Sequence, residues 1–105
     1  THDRAVAAVS HLPHLVAGAL VDAVLRMDPT FLDVAARGFR DTTRIAASSP
    51  RVWREIFQAN RPALVEAVAA FRKSLDHLEG LISSGDASAI EQELDRIRQA
   101  RERLR

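Results

Sequence analysis

Residues 5–25 read AVAAVSHLPHLVAGALVDAVL. Ala5, Val6, Val9, Leu12, Val16, Leu20, Val24 and Leu25 recur at the spacing that lines up side chains along an α-helix. Alanine and valine fill many of the other positions, so the helix is apolar on most faces and is expected to be central and buried. Asp3 falls in a first turn, where negative charge is favoured, and Thr1 has a capping side chain. One long helix is therefore expected from about His2 to Arg26. Pro13 sits in its middle. Proline has no backbone N–H and its ring collides with the preceding turn, which predicts a kink near Val9 to Leu12 and a freed carbonyl. Ser10, His11 and His14 lie beside that point.

Outward from this helix the chain is punctuated by capping signals. Met27-Asp28-Pro29-Thr30 reads as a turn, with Thr30 as cap and Asp33 in the capping-box position of a second helix, Thr30 to Ala47. Gly38 is its candidate break point, because glycine costs about 1 kcal/mol against alanine inside a helix. Ser49 as cap and Pro50 at the first helical position open a third helix with an apolar stripe of Val52, Trp53, Ile56 and Phe57. Asn60 is expected to cap a fourth, which runs to about Ser83 along Leu64, Val68, Phe71, Leu75 and Leu78. Gly85 ends it, and Asp86 caps a last helix to the C-terminus. No strand pattern and no solenoid repeat is present. The expected fold is all-α: a single helical domain over 1–105, of about five helices, the first long and kinked at Pro13.

Composition limits the functional classes. The 105 residues suffice for one small domain with one core, and 47% hydrophobic content argues against disorder. A net charge of +1 gives no electrostatic case for nucleic acid or an anionic membrane. The chain has no cysteine, which removes disulfides, thiolate catalysis and cysteine-based zinc sites and fits a cytoplasmic location. No apolar run approaches the roughly 20 residues of a membrane span, and no secretory or transit signal is recognisable. The chain opens on threonine, so a processed product or an excised piece is expected. The last helix alternates Glu91, Glu93, Asp95, Arg96, Arg98, Arg101, Glu102 and Arg103, which reads as a solvated face of close opposite-charge pairs.

Three places carry chemistry. The run Gly38-Phe39-Arg40-Asp41-Thr42-Thr43-Arg44 is the most polar in an apolar chain. Arg37, Arg40 and Arg44 would share a helical face, with Asp41 three residues before Arg44 and in reach of its guanidinium. Such a face is either a solvated surface or an anion site, since a guanidinium matches a carboxylate two bonds at a time. His11 and His14, three apart, are metal ligands, packing groups at the kink, or hydrogen-bond donors to an anionic ligand. The metal reading lacks a third ligand, and the HExxH spacing is absent. Trp53 is a packing residue or a ligand wall. A helix-turn-helix around Ser48-Ser49-Pro50, with Arg51 and Arg54, conflicts with the use of that face for packing and with the near-neutral charge. No glycine-rich phosphate loop, Walker motif or GxSxG is present.

Taken together, Thr1-His2-Asp3, Ser10-His11-Leu12-Pro13-His14, Gly38 to Ala46, Trp53-Arg54-Glu55-Ile56 and Asn60 resemble the C-terminal helical domain of the prephenate/arogenate dehydrogenases. The resemblance covers about residues 1 to 82; the last helix matches nothing. It implies the oxidative decarboxylation of prephenate to 4-hydroxyphenylpyruvate, or of arogenate to tyrosine, in tyrosine biosynthesis, with NAD or NADP. It implies that this chain is the second half of such an enzyme, a substrate-binding and dimerising domain inactive alone. The Rossmann domain, most of the cofactor site and the catalytic histidine would then lie outside it. By the same resemblance, Arg44 matches the arginine that binds a substrate carboxylate, His11 and His14 the histidines beside the pocket, Asp41 the aspartate near that arginine, and Trp53 the aromatic of the neighbouring helix. The other reading is a stand-alone helical interaction module without activity. A homodimer is expected from the residues themselves, because the apolar stripes exceed what a small monomer hides.

Overall fold

The computed structural model describes residues 2–104, and every regular element among them is helical. Thr1, the expected cap of the first helix, lies outside these residues. Helix α1 is His2–Met27. Its ladder is interrupted by a π turn at Ala7–His11, closed by the Leu12 N–H donating to the Ala7 carbonyl. Pro13 follows directly and cannot donate to the ladder. The backbone disturbance expected there thus takes the form of one extra residue wound into the helix upstream.

The chain divides into two compact units, one up to Val68 and the other from Ala69, the boundary falling within helix α4 (Arg61–Ser84). In the first unit the buried apolar side chains, among the described residues, are Ala7, Ala17 and Leu64. So α1 is not the enclosed element that its sequence suggests. Val9 is 76% exposed and Met27 73%. Small residues meet the rest of the unit, and much of the large apolar surface faces outward. By length and composition alone α1 is also long and apolar enough to cross a membrane, contrary to the expectation that no apolar run approaches that length.

The stretch expected as one helix from Thr30 to Ala47 is three pieces. Asp28, not Thr30, is the cap: its Oδ1 accepts from the Thr30 N–H at 2.9 Å and from the Thr30 hydroxyl at 2.8 Å. Pro29 then opens a 3₁₀ turn, Pro29–Val34. The chain extends at Ala35 and Ala36 before helix α2, Arg37–Thr43, and a second 3₁₀ turn, Arg44–Ala47. Gly38 lies inside α2 rather than at the break. The C-terminal half of α1 packs on all three pieces, so tertiary packing sets the break where local propensity would place none.

Helix α3, Pro50–Ala59, starts as its sequence predicts: Ser49 accepts from the Val52 N–H at 3.3 Å, with Pro50 in the first position. Asn60 ends it and does not cap α4 with its side chain. Its backbone carbonyl accepts from Leu64 at 3.0 Å, while its side-chain amide reaches back to donate to the Asp3 carbonyl at 3.0 Å. Arg4 pairs with Glu66 nearby, Nε to Oε1 at 2.9 Å.

In the second unit, Gly85 takes φ +72°, the left-handed geometry that favours glycine at a helix end. Asp86 then accepts from the Ala89 N–H at 3.1 Å and starts helix α5, Ala87–Glu102. The charges of α5 pair with one another as expected: Arg98 bridges Asp95 at 2.6 Å and Glu102 at 2.5 Å. His77 on α4 meets Glu93 on α5 at 2.6 Å, and Arg96 also pairs with Glu93. The hydrogen bond from His77, and then that from Arg96, hold the Glu93 carboxyl below its ordinary value of 4.5. A depressed carboxylate stabilises the fold above its unfolded-state pKa, and that contribution is lost as pH falls through the folded value. The α4–α5 pairing is therefore expected to weaken in acid, starting below about pH 4.5, and Glu93→Gln should flatten that limb of a urea-melt pH series.

Candidate functional site

The π turn delivers His11 and His14 to one aromatic cluster in the first unit. The His14 ring lies flat on Trp53, centroids 3.7 Å apart and planes 8° from parallel. His11 meets the same indole edge-on at 6.3 Å. Phe57, one turn along α3, closes the group at 6.0 Å from His14 and 5.8 Å from Trp53. His14 is 8% exposed, and burial lowers its pKa from the ordinary 6.5, which favours the neutral ring. The Nδ1 atoms of His11 and His14 are buried without a hydrogen-bond partner. An unmet buried polar atom costs desolvation energy that a ligand donor or a proton could recover. Ser10 is exposed and takes no part.

Arg44 makes none of these ring contacts. With Arg40 it lines an open hollow of about 500 Å³, walled by Val21 of α1, Leu32, Phe39 and Thr43. Thr43 is buried and donates its hydroxyl to the Phe39 carbonyl at 2.7 Å, which fixes the wall. Arg40 is oriented by its Nε, which donates to the Ala35 carbonyl at 3.2 Å. Neither guanidinium has an ion pair among the described residues. Asp41 does not brace Arg44, contrary to the spacing argument. The α-helix stops at Thr43, whose φ −101° and ψ 1° depart from α values, so the unbroken α geometry from Asp41 to Arg44 that the brace needs ends before Arg44. Arg37 does not line the hollow either, so two of the three arginines converge.

The structure thus gathers His11, His14 and Trp53 into one aromatic cluster and sets Arg44 in the wall of a hollow whose lining does not include His11 or His14. Phe57 is a stripe residue in the sequence and Arg40 a member of the candidate anion face; the family resemblance gives neither a site role. The i, i+4 spacing of Trp53 and Phe57 is the signal that joins them.

The family model for the prephenate dehydrogenase dimerization domain matches residues 1–97. The chain belongs to this family. It is 37% identical to the prephenate dehydrogenase of Lactococcus lactis, aligned over 96% of this chain and 30% of the relative. Two solved structures share its fold. A prephenate dehydrogenase from A. aeolicus, in complex with hydroxyphenyl propionate and NAD+, is 39% identical with a TM-score of 0.87, over 96% of this chain and 36% of that one. The arogenate dehydrogenase of Synechocystis is 31% identical with a TM-score of 0.87, over 96% of this chain and 38% of that one. The chain therefore spans about a third of the length of these relatives. Within the family match fall both the aromatic cluster and the arginine hollow.

Proposed function

We propose that this chain is the helical, substrate-binding and dimerising part of an NAD(P)-dependent prephenate dehydrogenase of tyrosine biosynthesis. The observation that carries this reading is the family match across nearly the whole chain; Arg40 and Arg44, in one hollow and without an ion pair among the described residues, agree with it. Prephenate is a dicarboxylate, and a guanidinium without a carboxylate partner among the described residues can take a substrate carboxylate through two parallel bonds. Loss of CO₂ makes the ring aromatic, so the site's task is chiefly to hold and orient. Arogenate, which keeps both carboxylates and carries an ammonium group where prephenate has its keto oxygen, is the alternative substrate of the same chemistry. The described residues contain no strand followed by a glycine-rich turn, so the dinucleotide is held mainly by residues outside this chain. The proposed cellular location is the cytoplasm.

Arg44 lines the hollow and the histidines the aromatic cluster; the proposed site joins the Arg44 of one copy to the histidines of the other across their contact. The exposed apolar residues Val9, Val34 and Val65 of the first unit are surface that such a contact would cover. The test uses the complete enzyme. Light scattering at micromolar concentration should give a dimer. At a prephenate concentration well below the raised KM of either variant, a mixture of Arg44→Ala and His14→Ala subunits, refolded together, should turn over faster than either variant alone, because mixed dimers then hold an intact site. No prephenate turnover by the unaltered enzyme would sink the assignment. A coding sequence that carries no glycine-rich βαβ unit upstream would favour the interaction-module reading.

A further inference from the structure

We infer that Asn60 is a positioning residue that fixes the winding of α1 and thereby the placement of His11; the inference rests on the proposed function for its kinetic arm only. Helix α3 touches α1 at both of its ends. In its first turn Trp53 holds His14 face-on and His11 edge-on. At its far end Asn60, partly buried, donates its side-chain amide to the Asp3 carbonyl at 3.0 Å. The π turn, Ala7–His11, lies between these two anchor points on α1.

A π turn carries one residue more than an α turn, and one residue is about 100° of helix rotation. Converting it to α geometry would rotate the first turn of α1 against His11 and His14 by about that angle. The Asp3 carbonyl would then swing away from Asn60. The amide bond and the histidine–tryptophan contacts, both held by the same short helix, are compatible with each other only while the extra residue stays in place. The Arg4–Glu66 pair spans the same junction, but both side chains are more than half exposed, where an ion pair contributes little. Asn60 is also spared the role its sequence position suggests, since its side chain does not cap α4.

The experiment compares Asn60→Ala and Asn60→Asp with the unaltered complete enzyme. Asn60→Asp keeps the shape but replaces the donating amide by a carboxylate that repels the Asp3 carbonyl. Two readouts are taken: amide hydrogen exchange along Ala8–Leu12, and the kinetic constants for prephenate and NAD. Both variants should exchange the Ala8–Leu12 amides about tenfold faster, with α4 and α5 amides unchanged, as loss of one net hydrogen bond predicts. Both should raise the prephenate KM severalfold while leaving kcat and the NAD KM within twofold. Unchanged protection at Ala8–Leu12 overturns the inference. So does faster exchange spread evenly over α3, α4 and α5, which marks a general loss of stability. Faster local exchange with an unmoved prephenate KM overturns the link from winding to the site. If the unaltered enzyme does not turn over prephenate, the functional reading fails, and the exchange data still decide the clamp.

Discussion

Replacing Arg44 with alanine in the complete enzyme is expected to raise the KM for prephenate by about 10- to 100-fold, while the KM for the dinucleotide stays within twofold. The magnitude follows from a charge-assisted hydrogen bond of roughly 1.5–3 kcal/mol. The direction follows from the hollow: Arg44 and Arg40 line it without a carboxylate partner among the described residues, so the cationic charge is not consumed by the fold. A group that holds the substrate equally in the ground state and in the transition state moves KM rather than kcat. Removing Arg44 breaks no ion pair among the described residues, so the melting temperature should hardly move. Steady-state kinetics of Arg44→Ala beside Arg44→Lys check this: lysine keeps the charge but loses the two-pronged geometry, and should fall between the two. An unaltered prephenate KM in a folded Arg44→Ala enzyme would remove Arg44 from the site.

The second large effect is expected at Trp53. Trp53→Ala should cost about 3 kcal/mol, the low end for deleting a large aromatic side chain, because the indole is only partly buried. Three ring contacts go at once: the flat stack on His14, the edge of His11, and Phe57. Exposure of His14 is the second consequence. With burial relieved, its pKa should return toward 6.5, the ordinary value from which burial now lowers it. In the intact protein the unfolded chain takes up a proton near pH 6.5 that the folded His14 resists, so folding stability should fall as pH drops below that value. Urea melts from pH 8 to pH 5 test both points. Trp53→Ala should lower the midpoint throughout and reduce its slope with pH. Trp53→Phe should recover part of the stability, since a smaller ring still covers the imidazole. An unchanged pH slope in Trp53→Ala would mean that the stack does not shield His14.

Much of this architecture can be read from residue types. The pair Ser49–Pro50, the glycine at 85 and the aspartate at 86 act within three residues of themselves, so local chemistry is enough to place three helix ends. The division of the region from Pro29 to Ala47 is not of that kind. Ala35 and Ala36 favour a helix intrinsically, and the chain extends there because α1 packs on the pieces at either side. The π turn was half visible: Pro13 marks the disturbance, but a proline says nothing about whether the helix bends or takes up a residue. The Asp41–Arg44 brace failed for a definite reason, since it assumed α geometry through Thr43, where the helix tightens. The contact of Asn60 is not readable from capping preferences, because its side chain acts over a distance of 57 residues in sequence and those preferences describe only the neighbouring turn. The site residues themselves came from a family resemblance, which fixes identities but not which of them meet within one copy.

Trp53 is the chain's single tryptophan, and its ring lies on an imidazole whose charge is poised to change. A charged imidazole in face contact draws electron density from an excited indole, so the emission of this chain is a built-in optical gauge of the state of His14. Proton uptake, ligand arrival or rewinding of the first helix would each change that light without any label being added.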